Sequence, residues 1–458
     1  MSRAAKPALA AAILVVALGL RVAVVQATPD YHPINDAGSY LTLASEIAHT
    51  GDYSLSHKPG SGAGGTKGPS AYYAPAYPYL LAAVDIIDGH EVRREGAIHG
   101  ARIGQAVLGT ITVALIGLVA LELFGATAGL IALALAAVYP VDVELAATLV
   151  AENLLTPLVL GAVYAGLRVG RAPRPLTAYA WVAGAGVLTG LATLSHQNGI
   201  LILLPLMVAV WTRKPRSLVT PALLVLTTAL MIAPWTIRNE IVLHRVIPVS
   251  DETGITLVGT YNPASAANHA LPYKWRIFYG IPGERPLIRQ ASHLTEPQIG
   301  DKLQSQALHY IADHPLAPLA VAYHNTLRLF ELEGSYAWHA SAKAMSLPIG
   351  LADTGVISFW VLCLLSLAGA FTRLARGAPA WVWFVPLLLA LSVVLVNVET
   401  PRFRAPVDPF LILLAAAGLA TAAGWVTRGL GRPPVVGEAR TPVPAGPGQL
   451  IEMREGLA

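Results

Sequence analysis

Residues 106–121 read AVLGTITVALIGLVAL, sixteen consecutive positions without a charge. The run extends on both sides to a segment near 99–122, and at ~1.5 Å per helical residue that length crosses a hydrocarbon core of about 30 Å. Nine further apolar runs lie near 8–27, 124–141, 146–167, 177–195, 199–212, 217–237, 351–373, 380–398 and 406–427. The 458 residues are 54% hydrophobic and only 13% charged, and the mean hydropathy is +0.56. So little polar surface could not cover several soluble domains. The sequence predicts an all-α polytopic membrane protein of about ten transmembrane helices.

The formal net charge of +4 is spread in small basic clusters between the runs, not gathered on one face or tail, so no nucleic-acid partner is expected. The clusters are Arg3 with Lys6; Arg168, Arg171 and Arg174; Arg213, Lys214 and Arg216; Arg373 and Arg376; Arg428 and Arg432. Alternating through ten spans puts all of them on one side, which the positive-inside rule makes the cytoplasm. Both termini are then cytoplasmic, in a cell (inner) membrane. The start of the chain resembles a signal peptide. Its 8–27 run is nevertheless of spanning length, with Arg21 expected to snorkel to the headgroups, so an uncleaved first helix is the reading adopted. The single cysteine, Cys363, allows no intramolecular disulfide.

This topology places two long segments outside, about 28–98 and about 238–350, and loops of that length are usually functional. Extracytoplasmic juxtamembrane helices are expected within them. The first has helical character over 34–50 and a Gly-, Ser- and Lys-rich linker over 56–70. The second carries amphipathic helices over 298–313 and 315–332. Residues 428–458, with repeated Pro and Gly, read as a disordered cytoplasmic tail, leaving 1–427 as the membrane domain. No internal repeat of the kind many transporters carry is visible.

Candidate chemistry clusters in the outer segments. Helical spacing puts Asp36 and Tyr40 on one face, where a carboxylate could take a proton from an acceptor hydroxyl; capping a juxtamembrane helix is the simpler alternative. The Tyr72–Tyr79 stretch, including Tyr73, suits an interfacial platform for a sugar or for lipid, as an aromatic belt also would. Glu152, in apolar surroundings, needs a partner or a polar cavity. Asp142 and Glu144 read as exposed. His196 sits at an outer turn with Gln197 and Asn198, placed to bind sugar hydroxyls or merely solvated. Arg238 and Asn239 end a span, and Arg238 could clamp a phosphate or anchor at the interface. Arg402 and Arg404 defy the positive-inside bias in a short outer loop and call for an anionic partner: a lipid phosphate, or Glu399 and Asp408. No histidine pair has convincing zinc spacing and no glycine-rich phosphate loop follows a strand.

Taken in order, these pieces resemble the GT-C superfamily of membrane glycosyltransferases, of the protein O-mannosyltransferase and lipid A aminoarabinose transferase type. The resemblance runs from residue 8 to about 427. It is carried by Asp36 with Tyr40, the 73–78 segment, Glu152, the 191–199 turn, Pro234-Trp235 through Arg238-Asn239 with Gly254 and Asn262-Pro263, and 402–409. His196-Gln197 stands where such proteins commonly show Arg-Pro, and the large soluble C-terminal domain of some relatives is not seen.

The resemblance implies a polyprenyl-phosphate sugar donor, an active site on the extracytoplasmic face and transfer to an acceptor hydroxyl on a lipid, glycan or protein. Asp36 would be the catalytic base. Arg238, Arg402 and Arg404 would hold the donor phosphate, and Tyr40, Tyr73, Glu152, His196 and Asn239 would position substrate. With the sugar already on a phosphate leaving group, one base with cationic stabilisation serves an inverting transfer. No cofactor is expected; metal use differs among relatives and is left open. The rival reading is a transporter or flippase of a lipid-linked sugar, with functional groups near the bilayer midplane. A non-catalytic membrane subunit would need no acid beside a basic phosphate site.

Overall fold

The computed structural model describes residues 5–55, 68–88, 95–211 and 218–429. The basic cluster at 213–216, most of the 56–70 linker and the tail from 430 onward lie outside the described residues. Among those residues the chain is helical, with a single isolated bridge between Ser54 and Pro69 as its β-structure.

In chain order the helices are α1 (Ala5–Ala27), α2 (Asn35–Thr50), α3 (Ala76–Asp88), α4 (Glu95–Phe124), α5 (Ala126–Val138), α6 (Pro140–Leu145), α7 (Glu152–Val169), α8 (Pro175–Ser195), α9 (Leu203–Trp211) and α10 (Val219–Leu243). There follow α11 (Thr253–Thr260), α12 (Pro263–Ala266), α13 (Arg285–Gln290), α14 (Glu296–Asp313), α15 (Ala317–Leu329), α16 (Ser335–Ala344), α17 (Ile349–Ala370), α18 (Arg373–Arg376), α19 (Ala380–Val394) and α20 (Asp408–Gly429). Every expected span falls on a helix. Six of them, α1, α4, α8, α10, α17 and α20, are long and apolar enough to cross a membrane. The α5, α9 and α19 helices are shorter. The α5 helix stops after 13 residues, about 20 Å, because the chain turns into Pro140 and restarts as α6.

Small residues set the helix crossings. A Cβ on Gly186 would run into Thr227 Oγ1 and the Leu224 carbonyl, and one on Gly369 would meet the Leu414 carbonyl. The backbones of α8 and α10, and of α17 and α20, therefore approach closely, as apolar helices do where no water squeezes them together. The outside of the bundle stays apolar, with Val15, Leu118, Leu230, Val361 and Leu364 exposed, a surface suited to lipid.

Two cores follow. One runs inside the bundle through Ala17, Ile116, Leu160, Val182, Leu206 and Leu413. The other caps one end, where Tyr40, Tyr53, Tyr72, Tyr73, Tyr77, Trp235, Phe278 and Ile299 pack together. The expected helices over 34–50, 298–313 and 315–332 are α2, α14 and α15. Gly51, at φ +78°, ends α2 and donates its N–H to the Ile47 carbonyl, the left-handed stop that glycine permits. A reciprocal Thr295 and Gln298 cap starts α14.

Arg21 does not snorkel. It is fully buried and donates to the carbonyls of Ala17, Ala136 and Ala137 at 3.1–3.3 Å. The last carbonyls of α5 lack intrahelical partners, and Arg21 supplies the donors. Asp142 and Glu144 are likewise not surface acids: Glu144 is 2% exposed and Asp142 Oδ2 is buried, because α6 tucks inward after Pro140.

Candidate active site

Asp36 stands in the first turn of α2, where the helix dipole favours a carboxylate. Its Oδ1 accepts a 2.8 Å hydrogen bond from the Tyr73 hydroxyl. Tyr73 belongs to an irregular segment held by Glu296, whose carboxylate accepts from Ser70 Oγ and the Ala71 N–H, both at 2.6 Å. One helical turn beyond Asp36, the Tyr40 ring packs on Tyr73 and Tyr77 with centroids 4.8 and 5.0 Å away. The Tyr72, Tyr73 and Tyr77 rings are all buried. They form a wall of the cap rather than a stacking platform, and only Tyr79 of that stretch is exposed.

The second half of the cluster comes from the far end of the chain. Arg402, in a short 3-10 turn between α19 and α20, donates from Nη2 to Asp36 Oδ2 at 2.6 Å. Its Nε lies 3.4 Å from Glu152 Oε1 and 4.0 Å from Glu399 Oε2, without a hydrogen bond to either. The guanidinium also sits 4.5 Å over the Phe403 ring. Glu152 opens α7 and is 3% exposed; Arg402 is the partner its apolar setting requires. Lys274 lies beyond Glu399 at 3.9 Å. His196 meets the Phe403 ring edge-on at 6.2 Å, and its Nδ1 is buried without a hydrogen-bond partner.

The electrostatics follow from this packing. Burial alone would raise the Asp36 carboxyl, but the Arg402 charge and the hydrogen bonds from Tyr73 and Arg402 hold it below the usual carboxylate range. Burial lowers His196, which favours the neutral imidazole. Glu252, one residue before α11, is pushed up to about 8 by burial and by Asp36 and Glu152, against the pull of Arg402. Among the described residues, no group of three or more His, Cys, Asp or Glu side chains is arranged to hold a metal ion.

The structure therefore gathers Asp36, Tyr40, Tyr73, Glu152, His196 and Arg402, and sets three sequence candidates apart. Arg404 is 2% exposed and paired at 3.0 Å with both Glu331 and Asp408. Arg238 donates to the Ser70 and Tyr53 carbonyls and to Asn239, and lies over the Trp235 ring. Asn239 is fully buried and donates to the Ile247 carbonyl. All three brace the scaffold in this state. Arg402 and Arg404 diverge because they are two positions apart in a tight turn, so one side chain faces the acids and the other the bundle. Sequence reasoning missed Glu252 and Lys274, whose approach to Asp36 and Glu399 depends on long-range packing with no local signal.

The family model of dolichyl-phosphate-mannose-protein mannosyltransferase matches residues 73–237. No curated protein matches the chain with significance. Among solved structures, the apo oligosaccharyltransferase of Archaeoglobus fulgidus superposes with a TM-score of 0.56 at 14% identity, covering 94% of this chain and 52% of that one. The same enzyme, AglB, in complex with an inhibitory peptide and a dolichol-phosphate gives 0.52 at 14% identity, covering 92% and 51%. This chain has a GT-C fold. ArnT of Cupriavidus metallidurans bound to undecaprenyl phosphate superposes loosely, with a TM-score of 0.37 at 15% identity over 91% of this chain and 76% of that one. The chain spans about half the length of the solved oligosaccharyltransferases it matches. Within the GT-C fold, the matched 73–237 region holds Tyr73, Glu152 and His196, while Asp36 and Arg402 come from either side of it.

Proposed function

We propose that the protein is a membrane glycosyltransferase that moves a sugar from a polyprenyl-phosphate carrier to an acceptor hydroxyl, with inversion, on the extracytoplasmic face. The observation that carries this reading is the Arg402 guanidinium lying 2.6 Å from Asp36 and 3.4 Å from Glu152. One cation is thereby shared between an acid fit to be a base and a second acid. Support also comes from the mannosyltransferase family model and from the GT-C fold, whose solved relative holds a dolichol-phosphate.

In the donor-free site Arg402 neutralises Asp36 and weakens it as a base. A donor phosphate draws the guanidinium to itself, and Asp36, half-buried and deprived of its counter-ion, becomes more basic. Asp36 then takes the acceptor hydroxyl proton as the acceptor oxygen bonds to the anomeric carbon. The bond from that carbon to the phosphate oxygen breaks, and its electron pair leaves on the polyprenyl phosphate. The carrier passes from monoanion to dianion, so Arg402 binds the transition state more tightly than the donor. Glu152 holds the Arg402 Nε edge, and Tyr73 orients the Asp36 carboxylate.

The test uses the full chain in lipid nanodiscs with a panel of radiolabelled polyprenyl-phosphate sugars, comparing wild type with Asp36→Asn. Release of sugar from one donor by wild type and not by the variant is the expected result. Saturable donor binding or movement across the bilayer without release overturns the transferase reading in favour of a carrier of lipid-linked sugar.

A further inference from the structure

The transfer reaction above leaves Glu252 without a task, although it faces the reacting cluster. Its carboxylate accepts a hydrogen bond from Gln197 Nε2 at 3.1 Å, and the Gln197 carbonyl oxygen accepts in turn from Ser250 Oγ at 3.2 Å. With the amide nitrogen turned to Glu252, the Glu252 oxygen that Gln197 addresses is an acceptor. A proton on this carboxyl belongs on its other oxygen.

Charge counting gives that proton a reason to be there. Asp36, Glu152 and Glu399 already surround Arg402, the cation common to all three. Lys274 lies on the far side of Glu399. A fourth carboxylate would stand in the field of Asp36 and Glu152 with only a committed guanidinium to offset it. The neighbouring Tyr40, Tyr72 and Tyr53 hydroxyls are neutral and themselves feel Glu252 as a repelling charge. Asp251 answers to Arg245 and Asp301 instead. A carboxyl raised to about 8 by burial agrees with the geometry.

We propose that Glu252 is a donor-binding residue that meets the substrate as a neutral carboxylic acid, donating its proton in a hydrogen bond to an oxygen of the incoming phosphosugar while Gln197 holds its other oxygen. A carboxylate at this position would repel an anionic donor; a carboxylic acid binds it. The inference rests on the transferase reading and is tested so that the two fail separately.

Wild type, Glu252→Gln and Glu252→Ala are compared in nanodiscs for sugar release between pH 6 and 9.5. In wild type, kcat/KM should hold to about pH 7 and fall above about 8. Glu252→Gln keeps a donor of the same shape, so at pH 6.5 it should stay within about threefold of wild type and lose the alkaline fall. Glu252→Ala should raise the donor KM about tenfold or more at every pH. A Glu252→Gln enzyme as impaired as Glu252→Ala at pH 6.5, or one that retains the wild-type alkaline fall, overturns the inference. The second measurement needs no turnover: the infrared C=O stretch of a protonated carboxyl, taken as wild type minus Glu252→Gln at pH 6.5. Absence of that band overturns the inference even if sugar is transferred. Absence of transfer by wild type overturns the transferase reading, and the band then supports or refutes the protonated acid by itself.

Discussion

Arg402 reaches the Asp36 carboxylate at 2.6 Å across 366 residues of chain, and this pair joins the cation of the cluster to the acid proposed as its base. Removing the guanidinium should therefore do two opposing things. Arg402→Ala leaves Asp36 and Glu152 without their counter-ion, which raises the basicity of Asp36, but it also strips the departing phosphate of stabilisation. Loss of a preorganised transition-state donor costs about 10²–10³ in kcat, and we expect that loss to dominate. Arg402→Lys should recover only part of it, because one ammonium cannot face Asp36 and Glu152 along two edges as a guanidinium does. Single-turnover sugar release with saturating donor measures both.

Arg404 gives the contrasting result. Its guanidinium is enclosed between Glu331 and Asp408, so Arg404→Met leaves two buried acids uncompensated. Breaking a buried pair from one side costs about 3–5 kcal/mol. Thermal unfolding in detergent should show a large loss of stability, and the donor KM of the folded fraction should be unchanged. A raised donor KM with normal stability would return Arg404 to the phosphate site.

Glu296 makes stability depend on pH. Burial raises its carboxyl from the ordinary 4.5 to about 7, against the lowering hydrogen bonds from Ser70 and Ala71. The folded protein holds this proton at pH values where the unfolded chain has released it. The stabilisation is thus complete below about 4.5 and is lost as pH rises through about 7. Melting curves between pH 5 and 8 should show this decline in wild type and a shallower one in Glu296→Gln.

Gly369→Leu tests the crossing of α17 and α20. The added side chain meets the Leu414 carbonyl, and overpacking of this kind costs about 1–3 kcal/mol. The yield of folded protein should fall, while sugar release per folded molecule stays at the wild-type level.

The helices were legible because apolar runs in a membrane protein need no tertiary information to be seen. Asp36, Glu152 and Arg402 were legible for a related reason: charge next to an apolar run is costly and invites a partner. Which charges pair is another matter. Arg402 and Arg404 carry the same side chain two positions apart, and Asp408, four residues after Arg404, was the local hint that the second belongs to the scaffold. Glu331, its other partner, gives no such hint. Glu252 lies beside Asp251 in one exposed-looking Asp-Glu pair, yet one faces Asp36 and the other Arg245. Only the fold distinguishes them.

The long separation of Asp36 from Arg402 bears on biogenesis. At about 5–20 residues per second, roughly 20–70 s of synthesis divide the emergence of the acid from that of its counter-ion. During that interval the early helices hold first Asp36 and then also Glu152 in the membrane-bound nascent chain, without the guanidinium that later bridges them. The cluster closes only when the last loop before α20 has been delivered, so a chain stalled ahead of residue 402 can insert most of its helices and still leave Asp36 and Glu152 without their shared cation.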